Sequence, residues 1–309
     1  MEMVTFGKIF EAWKAEKMLY VKESSMATYL LLAEKHLLPV FKDATEIKER
    51  DAQAFVIQKL QNGLSQKTTK DCIIVLRMIL RYADKNDWWI CRPWDLRYPP
   101  VKNVKKLSVM SQKEQKILMN YLAMNYSLRN LSILICLNTG MRIGEVCGLQ
   151  WGDINLNERC ITIARSVSRV YYPSSNGQHR TFLSIGTPKT ESSNRIIPIS
   201  DELIELIKIS KRYSHPDYYV LTNKPKPIEP RTYRNHFKQV LKGAGLPQMH
   251  FHTLRHTFAT RCIESNCDVK TVSSILGHTN ISTTLNVYVH PNMEHKRKCI
   301  DQMLESLRQ

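Results

Sequence analysis

The 309 residues contain no run of about 18 consecutive apolar side chains, the length a helix needs to cross a bilayer. That argues against a membrane span. The opening stretch MEMVTFGKIFEAWKAEK carries acids and lacks an apolar core followed by small residues, so it does not read as a secretory leader. The eight cysteines include no CxxC pair; the nearest two are Cys262 and Cys267. They read as buried or isolated thiols of a reducing compartment, which places the chain in the cytoplasm. A zinc site from Cys262 and Cys267 with His250, His252 and His256 fits no common ligand spacing. Internal repeats and low-complexity segments are missing too. The largest shortfall is in acids: 28 Asp and Glu face 45 Lys and Arg, for a net charge of +17.

So large a basic excess points to a polyanion, with nucleic acid the first candidate, because unneutralised charge repels itself. The alternative is a basic, solvated surface with no ligand. Residues 1–107 carry a net +6 and residues 108–309 a net +11, so one basic tail does not account for the total. The length suffices for two domains, each with its own core. Hydrophobic content, 43%, is ordinary for a globular chain.

Periodicity predicts four helices in the first third. The first spans 5–22, with Phe6, Ile9, Phe10, Trp13 and Met18 or Leu19 on one side. The second, about 26–38, is capped by Ser24 or Ser25 and ends at Pro39. The third, about 49–61, closes at Asn62-Gly63, and Ser65 caps a fourth at about 66–85. A proline-broken stretch with Lys102, Lys105 and Lys106 then reads as a basic linker. Trp88, Trp89 and Trp94 beside it read as packing at the foot of the fourth helix. The boundaries are a helical domain at 1–95, a linker at 96–108 and a second domain at 109–309. Within the latter, Ser111 and Glu114 form a capping box, and a helix at about 128–138 ends at Thr139-Gly140. Residues 160–170 and 181–186 alternate like strands around a Pro-Ser-Ser-Asn-Gly turn, Arg195–Ile199 is a third strand, and helices resume from 201.

Five signatures between residues 139 and 290 carry chemistry: Arg142 in TGMRIGE, Lys189 in TPKTESSNR, His252 and Arg255 in HTLRH, His278 in LGH, and Tyr288 in NVYVH. Two guanidiniums, two imidazoles and an ammonium can surround one phosphate, where catalysis is mostly positioning plus positive charge. A guanidinium gives two parallel hydrogen bonds to phosphate oxygens. A tyrosine can attack phosphorus, but at pH 7 only about one in a thousand is ionised, so neighbours must activate it. Glu145 lies three residues after Arg142 and can orient it; a simple ion pair is the alternative. His256 reads as a packed histidine that orients its helix.

Together and in this order, the signatures resemble the tyrosine recombinases, the integrase family of phages and conjugative elements. The resemblance covers roughly residues 108–290 through motifs and the first third through organisation. It implies a mostly α fold with a small antiparallel sheet and hairpin: an N-terminal helical, SAM-like core-binding domain and an α+β catalytic domain, together clamping duplex DNA like a C. It implies that Arg142, Arg255, His252 and His278 contact the scissile phosphate. Tyr288 would become a 3′-phosphotyrosine, and Lys189, in a β-hairpin, would protonate the departing 5′ oxygen. Glu145 and His256 support them. Lys67 and Lys70, with Lys102, Lys105 and Lys106, are the expected further DNA contacts. No cofactor or metal is implied. The implied partners are double-stranded DNA, three further copies of the chain in a tetramer, and an excisionase-type directionality factor.

The interval from Arg142 to Lys189, with its extended hairpin, is longer than is usual in dimer-resolving (Xer-type) recombinases and looks more like integrases of conjugative transposons. No small arm-binding module is expected before residue 5. A tail helix at 293–307 would present Cys299, Ile300, Met303, Leu304 and Leu307, docking on its own domain or on a neighbour. The reading is therefore a mobile-element recombinase. Its alternatives are a Xer-like resolvase, a DNA-binding protein without chemistry, and a metal-dependent nuclease; the last is disfavoured because no carboxylate cluster lies near the histidines.

Overall fold

The computed structural model describes residues 4–100, 108–172, 180–186, 194–288, 297, 300, 301 and 303–305. The chain divides into two units: Met1–Val104 with Arg169–Phe182, and Lys105–Ser168 with Leu183–Gln309.

In the first unit, α1 (Phe6–Lys17) buries Phe6, Ile9, Phe10 and Trp13. It stops short of the expected end: Met18 and Leu19 are exposed and do not extend the apolar face. Helix α2 (Glu23–Leu32) starts before Ser24, with Lys22 at the N-cap and no side-chain cap. It does not stop at Pro39. A π turn, Ala33–Leu37, leads into α3 (Leu38–Phe41). Pro39 thus lies at the start of α3, directly after the π turn, and the helical run continues through it. The next two helices follow the expected bounds, α4 at Glu49–Gln61 and α5 at Gln66–Lys85. Gly63 takes φ +79° after α4, and Ser65 Oγ accepts from Thr68 N at 3.1 Å at the start of α5. α5 contributes Cys72, Ile73, Val75, Leu76, Ile79, Leu80 and Ala83 to a core shared with the other helices.

The assumed linker begins too early. Gln53 and Arg97 exchange two hydrogen bonds (3.1 and 2.8 Å), Arg77 reaches Trp94 O at 2.8 Å, and Gln66 reaches Pro99 O at 2.6 Å. Leu96 and Tyr98 pack on the helical core, as do Trp89 and Trp94. Trp89 Nε1 donates to Val4 O at 2.9 Å. Trp88, more exposed, sets its edge on Tyr82. Side-chain amides that hold an extended backbone leave no periodic trace in a sequence, which is why only the prolines were visible there.

In the second unit, Ser111 and Glu114 cap α6 (Gln112–Met124) as a box. Helix α7 (Leu128–Thr139) is buried on nearly every side, and the short α8 (Ile143–Cys147) follows. A three-stranded antiparallel sheet has the order β1 (Ile154–Asn155), β2 (Cys160–Ile163), β5 (Arg195–Pro198), with Ile161 opposite both Ile154 and Ile197. The single strand expected at 160–170 is two: β3 (Ser166–Tyr172) leaves that sheet and, among the described residues, pairs with β4 (Arg180–Gly186), the Arg169–Phe182 part of these strands counting with the first unit. The break falls at Arg165, whose guanidinium turns aside to Asp153 at 2.5 Å. The turn expected between β3 and β4 lies outside the described residues. Helices α9 (Asp201–Lys211), α10 (Pro230–Gly243), α11 (His252–Glu264), α12 (Val269–Leu276) and α13 (Ser282–Tyr288) complete the unit. The expected tail helix falls mostly outside the described residues. Those described there are helical, and Ile300 and Leu304 are exposed. Among the described residues, no helix is long and apolar enough to cross a membrane.

Candidate active site

The site is built around the carboxyl end of α12. The last carbonyls of a helix have no partner within it. Here three arginines take them in succession: Arg195 Nε to Ile275 O at 2.5 Å, Arg255 Nη2 to Leu276 O at 2.7 Å, and Arg142 Nη2 to Gly277 O at 3.0 Å. The partial negative charge at that helix end suits cations. Gly277 closes α12 at φ +65°, which turns the chain so that His278 follows directly.

A second helix end contributes in the same way. α7 terminates at Gly140, also at φ +65°, and its carbonyl accepts Arg255 Nη1 at 2.9 Å. A Cβ on Gly140 would come within 2.7 Å of both Leu276 and Phe258, so only glycine fits. The next turn begins α8. Arg142 is its N-cap, and Glu145 accepts both the Arg142 backbone N–H (2.9 Å) and its Nη1 (2.8 Å).

Glu145 is 3% exposed and bridges two arginines, since Arg195 Nη1 and Nη2 reach its two oxygens at 3.1 and 3.0 Å. Burial alone would raise its pKa. The Arg195 hydrogen bond, then the charges of Arg195 and Arg142, hold it below the ordinary carboxylate value instead. The ion pair expected for Arg142 and Glu145 is therefore part of a larger cluster. Arg195 was visible in the sequence only as the first residue of an expected strand. Nothing there showed that it locks the carboxylate.

Arg255 is 1% exposed; burial, then the charge of Arg142, lowers its pKa to about 9, so it stays charged at neutral pH. Arg142 keeps a face open to solvent, with 36% of its side chain accessible. His252 is exposed. Even so, desolvation, then His256, Arg255 and Arg142, push its pKa down to about 4. His278, hydrogen-bonded through Nδ1 to the buried Thr284 Oγ1 at 2.8 Å, is pushed to about 4 by burial, then by Arg255 and Arg142. Both imidazoles are thus neutral hydrogen-bonding groups at pH 7 in the free protein.

Tyr288, at the end of α13, is 7% exposed, and its hydroxyl lies 2.7 Å from His256 Nδ1. Burial raises its pKa, and the charges of Arg255 and Arg142 pull in the opposite direction. The His256 ring stands edge-on to His252 at 4.4 Å between centroids. His256 is therefore not only a helix-packing residue. Its pairing with Tyr288 joins positions 32 apart, and no local pattern announces it.

The fold thus connects Arg142, Glu145, His252, Arg255, His256, His278 and Tyr288 within one unit. Lys189, Lys102, Lys105 and Lys106 lie outside the described residues. Lys67 and Lys70 are exposed on α5, with Lys70 Nζ 4.8 Å from the centre of the Tyr98 ring. The zinc alternative has no support in geometry: among the described residues, no three His, Cys, Asp or Glu side chains converge as metal ligands.

Comparison with known proteins agrees with this architecture. Residues 108–295 match the phage integrase family, and residues 5–65 match the phage integrase N-terminal SAM-like domain. A tyrosine recombinase XerC-like protein of Caldanaerobacter subterraneus is 26% identical, over 97% of this chain and 83% of its own. The transposase of transposon Tn916 from Enterococcus faecalis is 28% identical over 80% of this chain, a match covering 64% of that protein's length. The fold is also that of the Tn1549 transposon integrase solved in complex with transposon right-end DNA, with a TM-score of 0.80, 22% identity, and coverage of 97% of this chain and 100% of that one. The chain belongs to the phage integrase family and is a tyrosine-type site-specific recombinase.

Proposed function

We propose that this chain integrates and excises a mobile element by cutting and rejoining double-stranded DNA through a 3′-phosphotyrosine at Tyr288. The observation that carries the reading is the arginine cluster on the α12 carbonyls, in the same unit as the buried Tyr288 hydroxyl. Arg142 and Arg255 would bind the scissile phosphate and stabilise charge developing on its equatorial oxygens. His252 and His278 would add hydrogen bonds, and Lys189 would deliver a proton to the departing 5′ oxygen. The bond to Tyr288 conserves the energy of the phosphodiester, so a 5′ hydroxyl of a second strand reverses the step without a nucleotide or a metal. Lys67 and Lys70, with Lys102, Lys105 and Lys106, would contact flanking phosphates. The similarity to the Tn916 transposase and the Tn1549 integrase favours a conjugative element. Recombination would proceed in a tetramer, with an excisionase-type factor setting direction.

Arg142→Ala tests the phosphate contact. Single-turnover adduct formation on a nicked suicide substrate, in excess chelator, should fall by about 10²- to 10³-fold with modest loss of DNA binding. A wild-type rate would remove Arg142 from the phosphate. Dependence of wild-type cleavage on added divalent metal would favour a nuclease. The XerC-like relative supports a second reading, resolution of chromosome or plasmid dimers. Recombination between a circularised element junction and a separate target plasmid supports integration; activity confined to two sites on one plasmid supports resolution.

A further inference from the structure

We infer that His256 is the proton acceptor of the cleavage step: its Nδ1 takes the Tyr288 hydroxyl proton as the tyrosine oxygen bonds to phosphorus. The inference rests on the proposed role of Tyr288 as nucleophile. Its basis is geometric. The Tyr288 hydroxyl is 2.7 Å from His256 Nδ1, within the range for direct transfer, in a pocket where the phenol is almost wholly buried. A buried tyrosine cannot give its proton to bulk water, and a partner must accept it.

The charge balance is consistent. The Tyr288 oxygen forms a bond to phosphorus as the bond from phosphorus to the 5′ oxygen breaks. The tyrosine proton passes to His256, which becomes an imidazolium, while the 5′ oxygen takes a proton from another donor, for which Lys189 is the proposed group. In rejoining, His256 returns its proton to the departing tyrosinate. Acceptance at Nδ1 requires a neutral ring with its proton on Nε2. The neutral form is favoured here because burial, then the charge of Arg255, lowers the His256 pKa.

The groups that face His256 are His252 on its own helix, at 4.4 Å between ring centroids, Arg255 beside it, and Tyr288 from α13. His252 is not bonded to the tyrosine. The positive charge beside His256 is that of Arg255, which, after burial, disfavours the imidazolium and so helps return the proton on the return step. His252, expected at the scissile phosphate, keeps that proposed role, and the proton acceptor is His256.

The test measures single-turnover adduct formation against pH on a nicked suicide substrate, with wild type, His256→Ala, His256→Gln and Tyr288→Phe, each first checked for binding to the uncut site. Removing a general base typically costs about 10²- to 10⁴-fold. His256→Ala should lose at least about 100-fold, its remaining rate should rise with pH as tyrosinate forms, and added imidazole should restore part of it. His256→Gln keeps a polar side chain but no base, and should be equally slow. Wild type should level off at lower pH than either variant. The inference is overturned if His256→Gln cleaves at the wild-type rate, or if His256→Ala stays within about threefold of it. If Tyr288→Phe itself forms adduct, the nucleophile assignment fails instead, so the two failures are distinguishable.

Discussion

Glu145 shows how one side chain ties the site to the stability of its unit. It is buried, carries its charge, and is held by Arg142 and Arg195 together. Removing one partner of a buried pair leaves an uncompensated charge, at a cost of about 3–5 kcal/mol. Glu145→Ala should therefore lower the urea midpoint markedly, and Arg195→Ala should do the same; a shift of under about 1 kcal/mol for both would show the cluster to be dispensable. The histidines set the response to pH. His252 and His278 have folded pKa values near 4 against an ordinary 6.5, so between those values the unfolded chain binds more protons. Their contribution to stability is complete above about 6.5 and is lost as pH falls toward 4. Urea unfolding at pH 7, 5.5 and 4.5 should show progressive weakening, and a His252→Asn, His278→Asn double variant should show a shallower fall. An unchanged slope would mean that neither imidazole is desolvated in the folded state. Glu145, with its pKa depressed, holds its contribution through that window and yields only below the ordinary carboxylate range.

At the scale of elements, two glycine-terminated helices face each other across Arg255. Gly140 at the end of α7 and Leu276 near the end of α12 supply its two carbonyl acceptors. Gly140→Ala would add a Cβ 2.7 Å from Leu276 and Phe258 and would strain a positive φ. The variant should lose cleavage along with at least about 1–2 kcal/mol of stability, by the cost of a strained backbone and an overfilled contact. Wild-type cleavage by a stable Gly140→Ala protein would mean that Arg255 does not depend on this junction. Much at this scale was legible beforehand. Ser65, the Ser111–Glu114 box and Gly140 mark helix ends through local chemistry, and the structure follows them. What was not legible depends on partners distant in the chain. The π turn that carries α2 past Pro39 lies against α5, with Ala33 and Leu37 buried. β3 departs from the sheet at Arg165, which pairs with Asp153, and the grip of Arg195 on Glu145 joins positions 50 apart.

For the molecule as a whole, both segments carry positive charge, so DNA affinity should come from both. The fragments 1–107 and 108–309 should each bind duplex DNA weakly, and the intact chain far more tightly, because the second contact becomes intramolecular. Binding should also fall steeply with salt, in proportion to the phosphates neutralised. Equal affinity of one fragment and the full chain would refute that. The exposed Ile300 and Leu304 of the tail suit burial against a neighbouring copy. Deleting residues 293–309 should spare binding to one site and weaken cooperative binding to paired sites; unchanged cooperativity would rule the tail out as a link. All of this presupposes that Tyr288 is the residue that joins protein to DNA. The direct measurement is a nicked suicide substrate incubated with wild type and with Tyr288→Phe, followed by denaturing electrophoresis. The account predicts a covalent protein–DNA band for wild type and none for Tyr288→Phe, with equal binding to the uncut site. A covalent band from Tyr288→Phe would contradict it.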